Sequence, residues 1–281
     1  MADKFVGVSP DSTGLGPKIE TETLTVASGA TVHRQVVAPI DFMLRVPEGD
    51  IPGHASVNKF GENPEVASGV QEDVWDGAGQ YPYPATALIT SMSQTADQNL
   101  MRGATIEWQG LDANWNPVTQ TKTLDATLTT NVVTLDTPML RVFRGRVLAN
   151  VVGDSPIRCH NAGETVDYAI ISTGNNQTEM ALYTIPLGKS AYMTGYYGSV
   201  VPVTNKDPEH TEFKIWAADR ANSYEFQLKH SLSAPQVWPI ANFKWEPYLK
   251  FTAQTDIRVT ATPSNQPAHV HAGFDLILVD D

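Results

Sequence analysis

The chain has 281 residues, a formal net charge of -12 and one cysteine, Cys159, and at this length it can bury about three quarters of its unfolded surface without disulfide or metal staples. A surface of that sign repels phosphate, which disfavours general nucleic-acid binding, and a lone cysteine excludes an internal bridge. No stretch approaches the roughly 18–20 apolar residues of a membrane helix, and without a charged, apolar-cored signal segment after Met1 to Lys4 the lone thiol fits folding in a reducing cytoplasm.

Residues 5–37 are polar and rich in glycine, serine and threonine, so this segment cannot build a core of its own. Within it, Thr23 to Val26 and Thr31 to Val37 flank Ala27 to Ala30, a pattern that reads as a hairpin with a four-residue loop. Two strands alone are marginally stable, so the hairpin is expected either to add to a neighbour's sheet edge or to pack on its own chain. The arm residues assigned to such a contact are Leu24, Val26, Val32 and His33, followed by Arg34, Gln35 and Val36. Pro39, Pro47, Pro52 and Pro64, with glycines between them, then argue against any sustained helix. Residues 1–53 are therefore read as an anchoring arm and proline-rich linker.

From Thr86 the apolar period becomes two, the mark of half-buried strands. The stretch from Ala85 to Met101 has some helical composition, but its serines and threonines dilute the pattern and Gly103 closes it. Ile106 and Trp108 alternate with Glu107 and Gln109, a turn follows over Gly110 to Asn116, and Val118 to Leu124 returns as a strand. Leu140, Val142 and Val147 predict another, with a bulge near Gly145. Farther on, the alternating sets are Tyr224, Phe226 and Leu228, then Ile257, Val259 and Ala261, then Val270 to Leu278. Many short strands with almost no crossover helices predict an all-β fold, an antiparallel β-sandwich or jelly-roll body behind an extended N-terminal arm. The expected bodies are a β-sandwich over 54–165 and a second β-sandwich or jelly roll over 166–281.

Candidate chemistry is sparse. His269 and His271, two apart on a strand, share a face and resemble the His-x-His of a cupin metal site, with Asp275 on the same face. The chain ends ten residues after His271, too soon for the further histidine of that family. The expectation is therefore solvated histidines, no metal and no cofactor. Cys159 and His160 are adjacent, which places them on opposite strand faces and argues against a thiolate–imidazole pair. No Gly-x-Ser-x-Gly elbow is present, and Gly14-Leu-Gly16 lacks the strand, helix and lysine of a phosphate loop. The basic run Arg141, Arg144 and Arg146 is read as a solvated strand. Loop aromatics, best represented by Trp75, Tyr81, Tyr83, Trp238 and Trp245, bury large area at little entropic cost and are assigned to subunit contact, with internal packing and glycan stacking as the alternatives.

Val8-Ser-Pro-Asp-Ser-Thr-Gly14, Gly29-Ala-Thr-Val-His-Arg-Gln-Val36, His54-Ala-Ser-Val-Asn-Lys-Phe-Gly61, and Gly174-Asn-Asn-Gln-Thr178 leading to Tyr183-Thr-Ile-Pro-Leu-Gly-Lys189 resemble blocks in virion structural proteins of tailed bacteriophages of the aquatic, cyanophage-like kind. That resemblance implies a non-enzymatic capsid decoration (cement) or head–tail accessory protein, anchored by its arm. The implied partners are phage capsid or tail proteins and further copies of the chain, a trimer first. Neither nucleic acid nor membrane is an expected partner, and the implied location is the virion, after assembly in the host cytoplasm. The alternatives are a tail-associated receptor binder for a glycan, and a cupin-like metal-dependent enzyme using His269 and His271.

Overall fold

The computed structural model describes residues 21–25, 31–35, 42–94, 101–126, 131–148, 155–203, 208–238 and 240–281. It divides into two compact units, Met1–Arg45 and Val46–Asp281. In the first, β1 (Thr21–Thr25) and β2 (Thr31–Gln35) form the expected antiparallel hairpin, with Leu24 opposite Val32 and Thr23 opposite His33. Val26 and Val36 lie outside the described residues. The linker does contain a helix, α1 (Phe42–Glu48), which the prolines argued against. It is only seven residues long and carries Pro47 in its last turn. Gly49 ends it in the left-handed region at φ 79°, returning its N–H to the Val46 carbonyl at 3.1 Å.

The larger unit is built from antiparallel strands throughout, as the period-two pattern predicts. In chain order these are β3 (His54–Val66), β4 (Glu72–Asp73), β5 (Ile89–Gln94), β6 (Thr105–Leu111), β7 (Pro117–Thr123), β8 (Asn131–Met139), β9 (Arg141–Val147), β10 (Ile157–His160) and β11 (Asp167–Ile171). They continue as β12 (Leu182–Thr184), β13 (Lys189–Pro202), β14 (His210–Ala218), β15 (Gln227–Pro235), β16 (Ile240–Phe251), β17 (Asp256–Pro263) and β18 (Ala268–Asp280). One sheet has the order β16-β13-β18-β3, and the sheet facing it has β12-β17-β14-β15. Lettered B to I along the chain, with β3 as B and β12 to β18 as C to I, these sheets read G-D-I-B and C-H-E-F, the strand order of a jelly roll. Its core holds Phe213, Ile215, Val259, Val270 and Phe274, all fully buried.

A second sandwich is inserted into strand C. β4 and β12 lie end to end along β17, Glu72 facing Ala261 and Leu182 facing Arg258. Between them the chain leaves at Val74 and returns at Ala181, whose N–H donates to the Val74 carbonyl at 2.9 Å. Val259 closes the join on both sides, donating to Ala181 and accepting from Val74. Gly61 is obligatory beside this junction, because a Cβ there would stand 2.3 Å from the Ala181 nitrogen and 2.4 Å from the Val74 oxygen.

The inserted sandwich packs sheet β11-β10-β5-β8 on sheet β7-β6-β9. Trp108, Met92, Ile106 and Met139 fill its core, and Trp108 Nε1 lies 3.1 Å from Met92 Sδ. Within the stretch 85–101, residues Ile89–Gln94 form β5, whose Ile89 and Met92 enter this core, and residues 95–100 lie outside the described residues. The bulge expected near Gly145 falls at Phe143, where the β6–β9 register shifts. The division expected at 165/166 falls between β10 and β11, which pair with each other, and β3 pairs into the jelly-roll sheet rather than the first sandwich. Period-two patterning identifies strands but carries no information about an excursion that splits one of them.

Candidate functional site

One buried ion pair holds the inserted sandwich to the jelly roll, and a second ties β4 to β17 within the jelly-roll sheet at the root of the insertion. Arg141 on β9 donates from Nε and Nη2 to the two oxygens of Asp256 on β17, both at 2.8 Å, and from Nη1 to the Pro84 and Leu140 carbonyls. Thr184 Oγ1 adds a third donor to Asp256 at 2.5 Å. Arg141 is therefore a buried anchor and not part of a solvated strand. Arg258 pairs with the fully buried Asp73 at 3.1 Å, and its guanidinium lies 4.0 Å from the centre of the Phe226 ring. Burial pushes the Asp73 carboxyl up to about 6, against the pull of Arg258.

The expected loop aromatics separate into two groups. Trp75 and Tyr81 are buried in the chain's own core, ring centres 5.1 Å apart, so their assignment to subunit contact is corrected to internal packing. Tyr83 continues that row, packing on Tyr81 and Phe226 with Arg141 over its ring. Phe226 and Tyr224 themselves precede β15 instead of opening it; Tyr224 has φ 60° and stacks on Trp115. Trp245 is half-buried in a cluster with Phe243 and His230. Trp238 alone of the five is open, 74% exposed.

Trp238 belongs to one end of the jelly roll. The loops after β3, β13, β15 and β17 meet there through Gly69 N–H to Pro263 O at 2.7 Å, Gln236 N–H to Glu209 O at 3.0 Å and Glu209 N–H to Asn265 Oδ1 at 3.0 Å. On this end Val237 and Ile240 are 80% and 65% exposed, and Val201 near the end of β13 and Val203 just past it are exposed as well. Single exposed apolar side chains are ordinary; here Val237, Trp238 and Ile240 stand close together in the chain at one loop end.

The titratable cluster lies elsewhere, on the outer face of β18 and β3. Alternation puts Val270 and Ala272 into the core and His269 and His271 outward. Antiparallel register sets Glu62 of β3 directly opposite His271. One donor atom from each of Glu62, His269 and His271 falls within 4.8 Å of the others. His269 Nε2 is 2.7 Å from Glu62 Oε1, yet this buried nitrogen makes no aligned hydrogen bond. Burial, reinforced by the neighbouring His269, lowers the pKa of His271 and favours its neutral imidazole.

Two more carboxyls close in from the root of the inserted sandwich. Glu179 shares a hydrogen bond with Glu62; burial, then that bond, pushes Glu179 up to about 8, while Glu62 is held below its ordinary value. Asp76 accepts from Glu179 N at 2.8 Å and Ser172 Oγ at 2.9 Å, and burial raises it to about 6. Asp275, the carboxylate expected with the histidines, instead bonds Asn58 Nδ2 at 2.6 Å. Sequence spacing found the two histidines; Glu62 is visible only through strand pairing.

Other reactive types are occupied. Cys159 is fully buried, and burial raises its thiol pKa. His160, on the other face, bonds Ser93 Oγ at 2.9 Å through Nε2. Lys59 is buried with its amine donating to the Phe143 carbonyl, and burial lowers its pKa well below the ordinary value. Among the described residues no helix is long and apolar enough to cross a membrane.

No family model matches the chain, and no curated protein matches it. Among solved structures it is similar to the VP2 subviral particle of infectious bursal disease virus, at 8% identity and a TM-score of 0.20, over 81% of this chain and 72% of that one.

Proposed function

We propose that this chain is a non-enzymatic structural protein of a virion, a decoration or head–tail accessory subunit of a tailed-phage particle, which joins its neighbours through the loop end of its jelly roll and through its N-terminal hairpin. The observation that carries this reading is the apolar loop end, where Trp238, Val237 and Ile240 stand 74%, 80% and 65% exposed in the single chain. Burying such a set against another subunit stabilises association by about 25 cal/mol for each Å² of apolar area removed from water. The resemblance of its sequence blocks to phage particle proteins supports the same role. The hairpin supports it as well, because among the described residues β1 and β2 pair only with each other, and a two-stranded sheet is a template for strand addition. A symmetric homo-oligomer, a trimer first, is the expected state.

Light scattering on the purified chain is expected to give an oligomer, and Trp238→Asp is expected to shift it towards monomer without lowering the melting temperature. A wild-type chain that stays monomeric at high concentration overturns the reading of the loop end. Deleting residues 1–37 is expected to leave the larger unit folded and to abolish incorporation into particles; undiminished incorporation removes the anchoring role.

The openness of Trp238 also favours a second reading, a glycan-binding surface at the same end. Binding on a glycan array that Trp238→Ala abolishes, in a chain whose oligomeric state is unchanged, selects that reading over subunit contact.

A further inference from the structure

Three donor side chains of two kinds converge on the outer face of the jelly roll, and the proposed structural role uses none of them. His269 and His271 are fixed two apart on β18, and Glu62 faces His271 across the strand pair. Their imidazole rings lie 4.6 Å apart, centre to centre. The backbone beneath is a paired strand inside a four-stranded sheet, so the Cα positions are set by the ladder and only side-chain torsions remain to be fixed.

We propose that Glu62, His269 and His271 form a binding site for a divalent first-row transition ion, with zinc the best match to the donor set. Two imidazoles and one carboxylate are the ligands of many zinc sites that keep a fourth position open. Zinc bonds of about 2.0–2.2 Å place neighbouring donors about 3.4 Å apart in a tetrahedron. The donors now stand from 2.7 Å (His269 Nε2 to Glu62 Oε1) up to 4.8 Å apart, a range that brackets this separation, and rotations of the partly exposed side chains would open the short distance and close the long one. The buried Nε2 of His269, 2.7 Å from a carboxylate oxygen without an aligned hydrogen bond, is the donor that an ion between them would satisfy.

Glu179 acts as a positioning residue through its hydrogen bond to Glu62, and Asp76 adds negative charge behind it. Both belong to the segments by which the inserted sandwich leaves and rejoins the jelly roll. Metal at this position therefore couples β3 and β18 to the root of the insertion.

The test uses the full chain without an affinity tag. Calorimetric titration with Zn²⁺ is expected to show one equivalent bound, and loading with Co²⁺ is expected to give a visible absorption band from nitrogen and oxygen ligands. His271→Ala and Glu62→Gln, each on a partly exposed face, are expected to abolish saturable binding with unchanged circular dichroism, and Glu179→Ala, which removes the hydrogen bond to Glu62, to weaken it by about tenfold. Wild-type chain that binds neither ion saturably overturns the proposal, as does undiminished binding by a His269→Ala, His271→Ala double variant. The Co²⁺ band is read on the wild type, so it decides even if a variant fails to fold. The light-scattering experiment reads a different surface, so either proposal can fail alone.

Discussion

Asp256 shows how much a single side chain carries at the joint between the two sandwiches. It accepts from Arg141 twice and from Thr184 once, almost wholly buried. Removing it leaves a buried guanidinium without its partner, so Asp256→Ala is expected to cost about 3–5 kcal/mol, read by urea denaturation. Asp73 and Asp76 set a pH dependence of the opposite kind to an ordinary paired carboxylate. Burial raises both to about 6, above their unfolded value of 3.8. A raised folded pKa contributes stability that is fully present below the unfolded value and is lost as pH rises through the folded one. Unfolding free energy is therefore expected to fall between about pH 4 and pH 6.5, by an amount on the order of a few kcal/mol, in denaturation series across that range. A flat profile contradicts it. At this scale the sequence disclosed His269 and His271 by spacing but hid Glu62, Asp256 and Arg141. Their partners are distant in the chain, and only the fold brings them together.

Among the elements, those with strict alternation were legible and those at junctions were not. β6 places Ile106 and Trp108 inward, and β18 places Val270, Ala272 and Phe274 inward, as their period-two patterns require. Tyr224 and Phe226 follow the same alternation, yet they sit before β15 because Ser223 and Tyr224 take left-handed backbone and turn the rings onto Trp115 and Tyr83. α1 escaped the proline argument because seven residues need little more than a favourable stretch upstream of Pro47. Trp75 and Tyr81 were misassigned for a related reason. They lie among glycines and prolines that signal loop, but the loop is the root of the insertion and is covered on both sides.

For the whole molecule, the controlling feature is the division of strand C. The jelly roll has its own core, from β3 and β12 to β18, and the inserted sandwich has another. Replacing residues 75–180 by two glycines is expected to leave the jelly roll folded with one cooperative melt, since Val74 and Ala181 are already in hydrogen-bond contact. The orphaned Asp256 calls for Asp256→Asn in the same chain, because a buried carboxylate without Arg141 is costly. A non-cooperative melt of that shortened chain contradicts the independence of the two cores. Because departure and return share one peptide contact, strand β17 meets what amounts to an unbroken neighbour whatever is spliced there. Evolution can thus exchange or enlarge the outgrowth while the scaffold beneath stays constant, and the same seam is a place where a reporter or antigen can be seated without redesigning the body.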